Sequence, residues 1–371
     1  MPMRFALPFA LSVAALSSGA LFAQAETAKA EAPSPVPTAS EARALAEEFA
    51  RKLEDNFVFP ETGKRYAAAL RVKAAAGGYD KTISREALAE MMTADVQAIA
   101  PDGHLRVFAS PPDLSRPAVQ PGSTPPSAVE KARWVAPGVA FIRFNGFPGS
   151  EESVAASRQF VRDYATAKTL IIDVRTHRGG GLDEMDVMFP LLFAQSTQLV
   201  AMETRAAVVA AGNEPLDDRA TLKRVASAPE VVRQDHWALA ASPASPLASA
   251  KIYVLTSGGS ASAAEHFALT MKRTHRATLI GQPTAGAGHY GGMVPLPSGF
   301  TAFIPVGRTY DPDTGQGWEG PGVAPDVEVP AEQALVEALK RAGIASADAE
   351  RLSAELAPQG RMHRRVRAAS R

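Results

Sequence analysis

Apolar side chains recur at helical spacing along the first part of the chain. From about Glu41 onward, Leu45, Phe49, Leu53 and Phe57 follow one another at intervals of four. Residues four apart lie on one face of a helix, and similar spacing returns over residues 66–75 and 84–99. The pattern therefore predicts a small N-terminal helical domain, of about three helices, over residues 41–110.

The pattern changes at Trp134, where short apolar runs begin to alternate with helical stretches. The runs of strand length are residues 139–144, 170–173 and 252–255, and the helical stretches are residues 153–167, a segment after Gly181, and residues 263–272. A strand, helix, strand order places successive strands parallel in one sheet. We therefore predict an α/β core over residues 134–357 that closes with helices over 331–342 and 346–356.

The first residues have the pattern of a secretory signal. A basic start precedes an apolar stretch over residues 5–22, and Ala23-Gln24-Ala25 supplies small residues for a cleavage site. Residues 1–25 are therefore predicted to be a signal peptide, removed near Ala25 from a protein that is periplasmic or secreted. Serine and glycine interrupt the apolar stretch, and the chain has no cysteine for a lipid anchor, so we predict no stable membrane anchor.

Three other segments differ from the folded parts in composition. Residues 26–40 are rich in Ala, Pro and Glu, which is typical of a disordered linker. Proline and serine are dense after residue 111, so residues 111–133 are predicted to be a connector. Residues 358–371 form a basic C-terminal tail, which we expect to be solvated.

Charge and composition limit the partners. The 371 residues include 39 basic and 39 acidic side chains, so no net charge favours nucleic acid or an anionic membrane. Without cysteine there are no disulfides or thiolate metal sites, and no metal-ligand spacing such as His-Glu-x-x-His occurs. We therefore predict no metal, no cofactor and no nucleic-acid partner, while composition makes no prediction of the oligomeric state.

One serine lies between a predicted strand and a predicted helix. Ser262 has small neighbours and separates the strand over 252–255 from the helix that begins at Ala263. The first N–H groups of that helix lack partners within it, and they would stabilise an oxyanion formed when the serine attacks. Because serine at a helix start is more often an N-cap, the chemistry needs a base from elsewhere in the chain.

Two further segments supply polar groups near predicted turns. An apolar strand ends in Asp173 and Arg175, and the glycine run 179–181 follows, where backbone approaches a ligand without an intervening Cβ. Glu319 lies among turn-forming residues, so its carboxylate is held in position and is able to orient a histidine. Asp173 and Arg175 are predicted to form a structural ion pair, and Glu265 to stabilise its helix start.

Four motifs occur in order along the core. They are Asp173-Val174-Arg175 with Gly179-Gly180, then Ser260–Glu265, Ile280–Gly286 and Gly322–Asp326. Together they resemble the tail-specific, or C-terminal-processing, serine peptidase family over residues 134–330. The resemblance implies a hydrolase, a serine-type peptidase with a crotonase-like ββα spiral core. Processing members usually carry a PDZ domain before that core, but the stretch between His104 and Trp134 is too short for one, so no PDZ domain is predicted.

The candidate bases separate two branches of this family. The processing branch uses a lysine in a Gly-Lys-Gly segment, whereas this chain has Gly286-Ala287-Gly288, and alanine cannot accept a proton. The branch of tricorn protease and the interphotoreceptor retinoid-binding protein modules is more similar, because its members use a histidine from an Asp-x-His segment and a late glutamate. Asp102-Gly103-His104 and Glu319 match these features, although tricorn-like members carry a serine at the position of Gly103.

This resemblance implies a catalytic set. Ser262 would be the nucleophile, His104 the general base and later the acid, and Glu319 the group that orients the imidazole directly or through an intervening hydroxyl. The competing interpretations are that His104 packs beneath its own turn and that Glu319 is a solvated loop carboxylate.

Backbone groups and two further histidines complete the candidates. The oxyanion hole would consist of the N–H groups of Gly180 and Ala263, with Gly179 as the alternative to Gly180. His266 is predicted to be structural. His289-Tyr290, in the glycine-rich stretch 286–292, is a weaker candidate for a specificity element.

The main hypothesis is an exported serine peptidase that hydrolyses a peptide or protein substrate, as an endopeptidase or at the carboxyl end, through an acyl-enzyme on Ser262. A second hypothesis is a non-catalytic protein that binds hydrophobic ligands on the same scaffold, and a third is a hydrolase of small esters. The presence of Ser262, His104 and Glu319 together favours an enzyme, because a binding protein has no need of all three.

Overall fold

The computed structural model describes residues 35–110 and 127–363, and the chain from Val36 onward forms one compact unit. The predicted signal peptide, nearly all of the linker up to residue 34, residues 111–126 of the connector and the tail from residue 364 lie outside the described residues. Within the described ranges, no helix combines the length and the apolar character needed to cross a membrane.

Nine α-helices occur in the described part of the chain. They are α1 (Ala39–Asn56), α2 (Pro60–Ala75), α3 (Arg85–Ile99), α4 (Glu151–Asp163), α5 (Asp183–Leu192), α6 (Ala206–Ala210), α7 (Ala263–Arg273), α8 (Ala334–Arg341) and α9 (Ser346–Glu355). The predicted helices are thus present, and the largest shift is in α2. It begins at Pro60 because proline fits the first helical position, where no N–H is required.

Twelve strands lie in the same ranges and form two sheets. They are β1 (Arg106–Phe108), β2 (Val129–Ala136), β3 (Val139–Phe144), β4 (Thr169–Asp173), β5 (Thr197–Arg205), β6 (Leu222–Val225), β7 (Val231–Ala238), β8 (Lys251–Thr256), β9 (Thr278–Gly281), β10 (His289–Pro295), β11 (Thr301–Tyr310) and β12 (Val327–Glu328). The core sheet has the order β12-β9-β8-β4-β3-β2, and the antiparallel sheet has the order β1-β11-β5-β7-β6 with β10 paired to β11.

The core sheet has the predicted parallel pairing. β3, β4, β8, β9 and β12 run parallel, and only β2 is antiparallel to its neighbour β3. The two faces of the sheet are buried in different apolar clusters, one shared with α4, α5 and α7 and the other with α8 and α9. Strands covered on both faces are apolar throughout, which is why the sequence revealed them as continuous apolar runs.

The N-terminal helices pack on the antiparallel sheet. A capping box of Thr38 and Glu41 begins α1, and its buried face includes Phe49. This face shares one apolar cluster with Ala302 and Ile304 of β11. Strand β1, which follows the three helices, also pairs with β11. The helical region therefore holds the His104 turn directly against the rest of the protein.

Candidate active site

Three neighbouring strands of the core sheet end at one edge, and the loops that follow them form the candidate site. β8 lies between β4 and β9, and the three strands are parallel. Ser262 follows β8, the glycine run 179–181 follows β4, and residues 284–289 follow β9. Ligand sites of parallel α/β sheets form at this carboxyl edge.

Ser262 stands directly before α7 in an unusual backbone conformation. Its φ and ψ angles are 58° and −115°, a region that residues other than glycine rarely adopt. A Cβ atom added to Gly179 would lie 2.9 Å from Cβ of Ser262 and 3.3 Å from its Oγ. The serine hydroxyl is therefore packed against the backbone of the glycine run, and only a glycine fits beside it.

Two backbone N–H groups of the loops around Ser262, those of Gly180 and Ala263, have no acceptor among the described residues. The N–H groups of Gly180 and Ala263 donate no hydrogen bond to any described residue, whereas the Gly179 N–H donates to Nδ1 of His177 at 3.1 Å. At φ 132°, Gly180 also lies so close to Phe147 that a Cβ would be 1.8 Å from its carbonyl oxygen. The predicted pair, Gly180 and Ala263, is thus available, and the alternative, Gly179, is engaged.

Glu265 links the turn of Ser262 to the loop after β9. One carboxylate oxygen accepts from the Ser262 N–H at 2.8 Å and the Ala287 N–H at 2.8 Å. The other accepts from the Thr284 hydroxyl at 2.6 Å and the Gly286 N–H at 2.6 Å. Burial raises the pKa of this carboxyl group, and the four hydrogen bonds lower it. The predicted structural role of Glu265 thus includes contacts that the sequence did not reveal.

The turn that carries His104 is fixed by side chains on both sides. Oδ1 of Asp102 accepts from the N–H groups of His104 at 2.8 Å and Leu105 at 2.9 Å. Gln97 on α3 accepts from the Asp102 N–H at 2.9 Å and donates to the carbonyl oxygens of Asp102 and Leu105. A Cβ on Gly103 would lie 2.9 Å from Cβ of Ala287, so this turn touches the loop after β9.

The His104 imidazole lies in an apolar setting. It stacks on Phe303 with ring centroids 5.3 Å apart, and its Nδ1 is buried without a hydrogen-bond partner among the described residues. Burial lowers the pKa of His104, the charge of Asp102 raises it, and His289 lowers it. A histidine with a lowered pKa stays neutral, and hence able to accept a proton, at neutral pH.

Glu319 joins the turn of His104 to the loop after β9 by accepting hydrogen bonds from backbone N–H groups of both. One oxygen accepts from the Gly103 N–H at 2.6 Å, and the other accepts from the N–H groups of Gly288 at 2.6 Å and His289 at 3.1 Å. Burial raises the pKa of Glu319, the charge of Asp102 also raises it, and His289 lowers it. Glu319 is therefore a bound carboxylate that reaches the His104 turn through Gly103; its predicted contact with the imidazole itself stays a prediction.

The structure does not join all the predicted groups directly. No hydrogen bond in the described residues connects Oγ of Ser262 with an imidazole, or Glu319 with the ring of His104. The connection runs instead through Glu265, the loop 286–289 and Glu319. This chain of contacts places the predicted nucleophile, base and carboxylate on one continuous hydrogen-bonded framework.

His289 is the site residue that the sequence underrated. Its Nδ1 lies 2.7 Å from Oδ2 of Asp102 and 3.7 Å from Oε2 of Glu319, and its ring meets the edge of Phe59 at 5.4 Å. The sequence signal was present, because an Asp two residues before one histidine and a second histidine in a glycine-rich loop are both visible there. What was missing was the pairing of distant segments.

His177 is another functional candidate that sequence analysis did not single out. It is fully buried, its Nδ1 accepts from Gly179, and its carbonyl oxygen accepts from the Ala261 N–H at 3.0 Å. Burial lowers the pKa of His177 to about 3, and its backbone hydrogen bond raises it. A neutral His177 therefore ties the glycine run to the turn before Ser262.

His266, predicted to be structural, belongs to a buried polar chain beneath α7. Its Nε2 lies 2.9 Å from Nδ1 of His236, and Nε2 of His236 lies 2.9 Å from Oδ1 of Asp186. Arg219 and the Thr221 hydroxyl both donate to the other oxygen of Asp186. The chain connects α5, β7 and α7, so it fixes the helix that begins after Ser262.

Asp173 and Arg175 form the predicted ion pair. The carboxylate of Asp173 accepts from Nε of Arg175 at 2.9 Å and Nη2 at 2.7 Å, and Nε of Arg143 donates to it at 2.9 Å. Burial raises the pKa of Asp173, but the two arginines bring it down to about 2. The pair lies at the end of β4, ahead of the glycine run in the chain, and its structural role stays a prediction.

Three metal-ligating side chains lie together in the described part of the chain. Atoms of Asp102, His289 and Glu319 are all within 4.8 Å of one another. His289 and Asp102 are hydrogen-bonded directly to each other. Glu319 accepts hydrogen bonds from backbone N–H groups. The contacts describe a hydrogen-bonded cluster, and the absence of a metal stays a prediction.

Two family comparisons match most of the chain. Residues 138–329 match the family described as Peptidase family S41. Residues 25–134 match the N-terminal domain of Peptidase_S41 in eukaryotic IRBP. The second match covers the helical region and agrees with the predicted branch.

Solved structures show the same fold. The photosystem II D1 C-terminal processing protease has 16% identity and a TM-score of 0.51, over 82% of this chain and 98% of its own. A candidate peptidase from Parabacteroides merdae ATCC 43184 has 15% identity and a TM-score of 0.54, over 87% of this chain and 98% of its own. The predicted α/β fold class, a core of this family preceded by a helical region, is therefore confirmed, whereas the absence of a PDZ domain stays a prediction.

Proposed function

Because this chain belongs to peptidase family S41 and is a serine peptidase, we propose that Ser262 is its nucleophile, His104 its general base and Glu319 its orienting carboxylate. The observation that supports this most is the backbone of Ser262, at φ 58° between β8 and α7, beside the unused N–H groups of Gly180 and Ala263. A nucleophile and an oxyanion hole need this juxtaposition.

The proposed reaction begins at the serine hydroxyl. Oγ of Ser262 bonds to the carbonyl carbon of the scissile peptide while its proton passes to His104, and the carbonyl electron pair moves onto oxygen. Gly180 and Ala263 donate to that oxyanion. Collapse of the intermediate expels the amine, which takes the proton from His104, and water then releases the acyl group by the reverse sequence.

Glu319 and Glu265 hold this arrangement in place. Glu319 fixes the turn of His104 through the Gly103 N–H, and Glu265 fixes the turn of Ser262 through its own N–H. Catalytic groups held within a fraction of an ångström react faster than mobile ones, because the ordering entropy has already been lost during folding. The orienting action of Glu319 in this proposal is exerted through the backbone.

The test is a comparison of substrates on matched variants. The purified protein, Ser262→Ala and the exposed-site control Ser227→Ala are assayed on a fluorogenic peptide library, on a p-nitrophenyl ester and for binding of a fluorescent fatty acid. Peptide turnover that is lost only in Ser262→Ala supports the proposal. Turnover of the ester alone favours the small-ester hydrolase, and fatty-acid binding without turnover of either favours the hydrophobic-ligand-binding protein.

We also propose that the peptidase acts after export, in the periplasm or outside the cell, on peptide or protein substrates. The sequence of residues 1–25 supports this, through its basic start, apolar middle and Ala23-Gln24-Ala25. Cell fractionation and N-terminal sequencing test it. We expect the mature chain to begin at Glu26. A protein that stays in the cytoplasm and still begins at Met1 would contradict export.

A further inference from the structure

His289 is a half-buried histidine that the proton transfer proposed above does not use. It is the first residue of β10, directly after the loop that Glu265 and Glu319 hold, and its side chain is 11% exposed. The Asp102 side chain that contacts it is 1% exposed. A buried carboxylate and a half-buried imidazole in contact at 2.7 Å form a strong, oriented hydrogen bond.

Asp102 divides its two oxygens between the two histidines. Oδ1 accepts from the backbone N–H of His104, and Oδ2 contacts Nδ1 of His289. Because one carboxylate serves both residues, a rotation that broke one contact would also disturb the other. The imidazole of His289 thus holds Asp102 in the orientation that fixes the turn of His104.

The charged groups around His289 form a second link between this residue and His104. Two carboxylates, the buried Asp102 and the half-buried Glu319, lie 2.7 Å and 3.7 Å from Nδ1 of His289, and His104 belongs to the same turn as Asp102. Arg308 is the register partner of His289 on β11, but its guanidinium pairs with Glu203. From α2 and the residue before it, the uncharged rings of Phe59 and Tyr66 are the neighbours of the cluster.

These charges act on His104 in opposite directions. The charge of Asp102 raises the pKa of His104, and His289 lowers it. Without His289, a neighbouring pair of carboxylates would stabilise a proton on His104. A protonated His104 cannot accept the proton of Ser262.

We propose that His289 is a positioning residue of this active site, which holds Asp102 against the His104 turn. The proposal rests on the proposed function only in its catalytic consequence. In this role His289 takes no part in proton transfer, and the proton of Ser262 passes to His104 and from there to the leaving amine.

Two substitutions separate the hydrogen bond between His289 and Asp102 from the electrostatic effect of His289 on His104. His289→Asn keeps an N–H donor near the position of Nδ1 but carries no charge, and His289→Phe keeps a ring against Phe59 but has neither. The matched control is His275→Asn, at an exposed histidine with φ 52°, a conformation that asparagine tolerates. Thermal unfolding of each variant establishes that it is folded.

The direct measurement is the titration of the His104 ring, followed by NMR of imidazole-labelled protein, which does not depend on turnover. We expect its midpoint to rise in both His289 variants and to stay unchanged in His275→Asn. Should His289→Phe fail to fold, His289→Asn alone still gives this result. An unchanged His104 midpoint in a folded His289 variant would overturn the proposal.

Activity supplies the second readout and distinguishes the two claims. We expect kcat of His289→Phe to fall by about tenfold to a hundredfold at all pH values with KM little changed, because one charge-assisted hydrogen bond is lost. His289→Asn should recover most of kcat at alkaline pH and show an acid limb moved upward. Equal losses in both variants at all pH values would sink the positioning role. A His104 midpoint that rises in the His289 variants, together with a wild-type protein that turns over no substrate, would instead refute the proposed function and leave the positioning contact standing.

Discussion

Glu265 and Glu319 together accept hydrogen bonds from four consecutive backbone N–H groups, those of residues 286–289. Glu265 belongs to the helix that follows Ser262, and Glu319 also holds the turn of His104. The segment includes Gly286-Ala287-Gly288, which by the sequence resemblance corresponds to the Gly-Lys-Gly segment of the processing branch. Through these contacts, residues 286–289 link the turn of Ser262 to the turn of His104.

Glu265→Gln should weaken both folding and activity. The glutamine amide group would face N–H donors, so two of the four hydrogen bonds would be replaced by opposed donors at a buried site. We expect the free energy of unfolding to fall by about 2–4 kcal/mol and turnover to fall with it. Urea unfolding and peptide hydrolysis measure the two effects. Glu61→Gln, whose side chain is 83% exposed, is the control and should change neither; a fully active Glu265→Gln would show that this link is dispensable.

Gly179→Ala should slow turnover strongly by displacing Ser262. The added Cβ would lie 2.9 Å from Cβ of Ser262, at a backbone φ of 115°. Gly315→Ala is a matched control, since its φ is 71° but nothing lies within 4 Å of the added atom. We expect about a hundredfold loss of kcat in the first variant, the size of effect reported for loss of one oxyanion contact, and none in the second. Comparable losses in both would indicate general backbone strain.

The rate of peptide hydrolysis should depend on the neutral form of His104. Its pKa is lowered chiefly by burial, so the base remains neutral below its usual value of 6.5. The acid limb of kcat/KM is therefore expected to have its midpoint below pH 6.5, with activity lost as the pH falls further. Initial rates between pH 4 and pH 8 check this. A midpoint above pH 6.5 would contradict the burial of the base.

Unfolding should become easier on acidification partly because of His177. Its pKa is lowered from 6.5 to about 3 in the folded protein, so between these pH values the unfolded chain binds one more proton at this residue. Stability is then lost as the pH falls, by about 1.4 kcal/mol per pH unit from this group. His177→Phe should reduce the slope by that amount in urea unfolding between pH 4 and pH 6. An undiminished slope would exclude a neutral buried His177 as its source.

Local pattern predicted the parts of the fold that are built from local signals. Residues 139–144 and 252–255 are apolar and lie in fully covered strands, and Leu45 to Phe57 mark one face of α1. The antiparallel sheet was not predicted, because strands such as β5 and β7 are partly buried and pair across many residues. Their partners are set by tertiary packing, which a single sequence does not display.

The candidate site divides in the same way. Ser262, the glycine run and Glu319 lie in distinctive turn sequences, so their residue types stood out. Asp102 and His289 are 187 positions apart in the chain. The local sequence around His236 likewise does not indicate that this residue contacts Asp186 and His266. Such long-range pairings depend on how the sheets meet, and the structure was needed to find them.

The central claim is that Ser262 is an activated nucleophile, and covalent labelling tests it most directly. The purified protein is treated with a fluorophosphonate probe beside Ser262→Ala and Ser227→Ala, and the adduct is located by peptide mass mapping. We expect one adduct, on Ser262, in the wild type and in Ser227→Ala, and none in Ser262→Ala. A folded wild-type protein that takes up no probe, or a label that persists in Ser262→Ala, would contradict the claim.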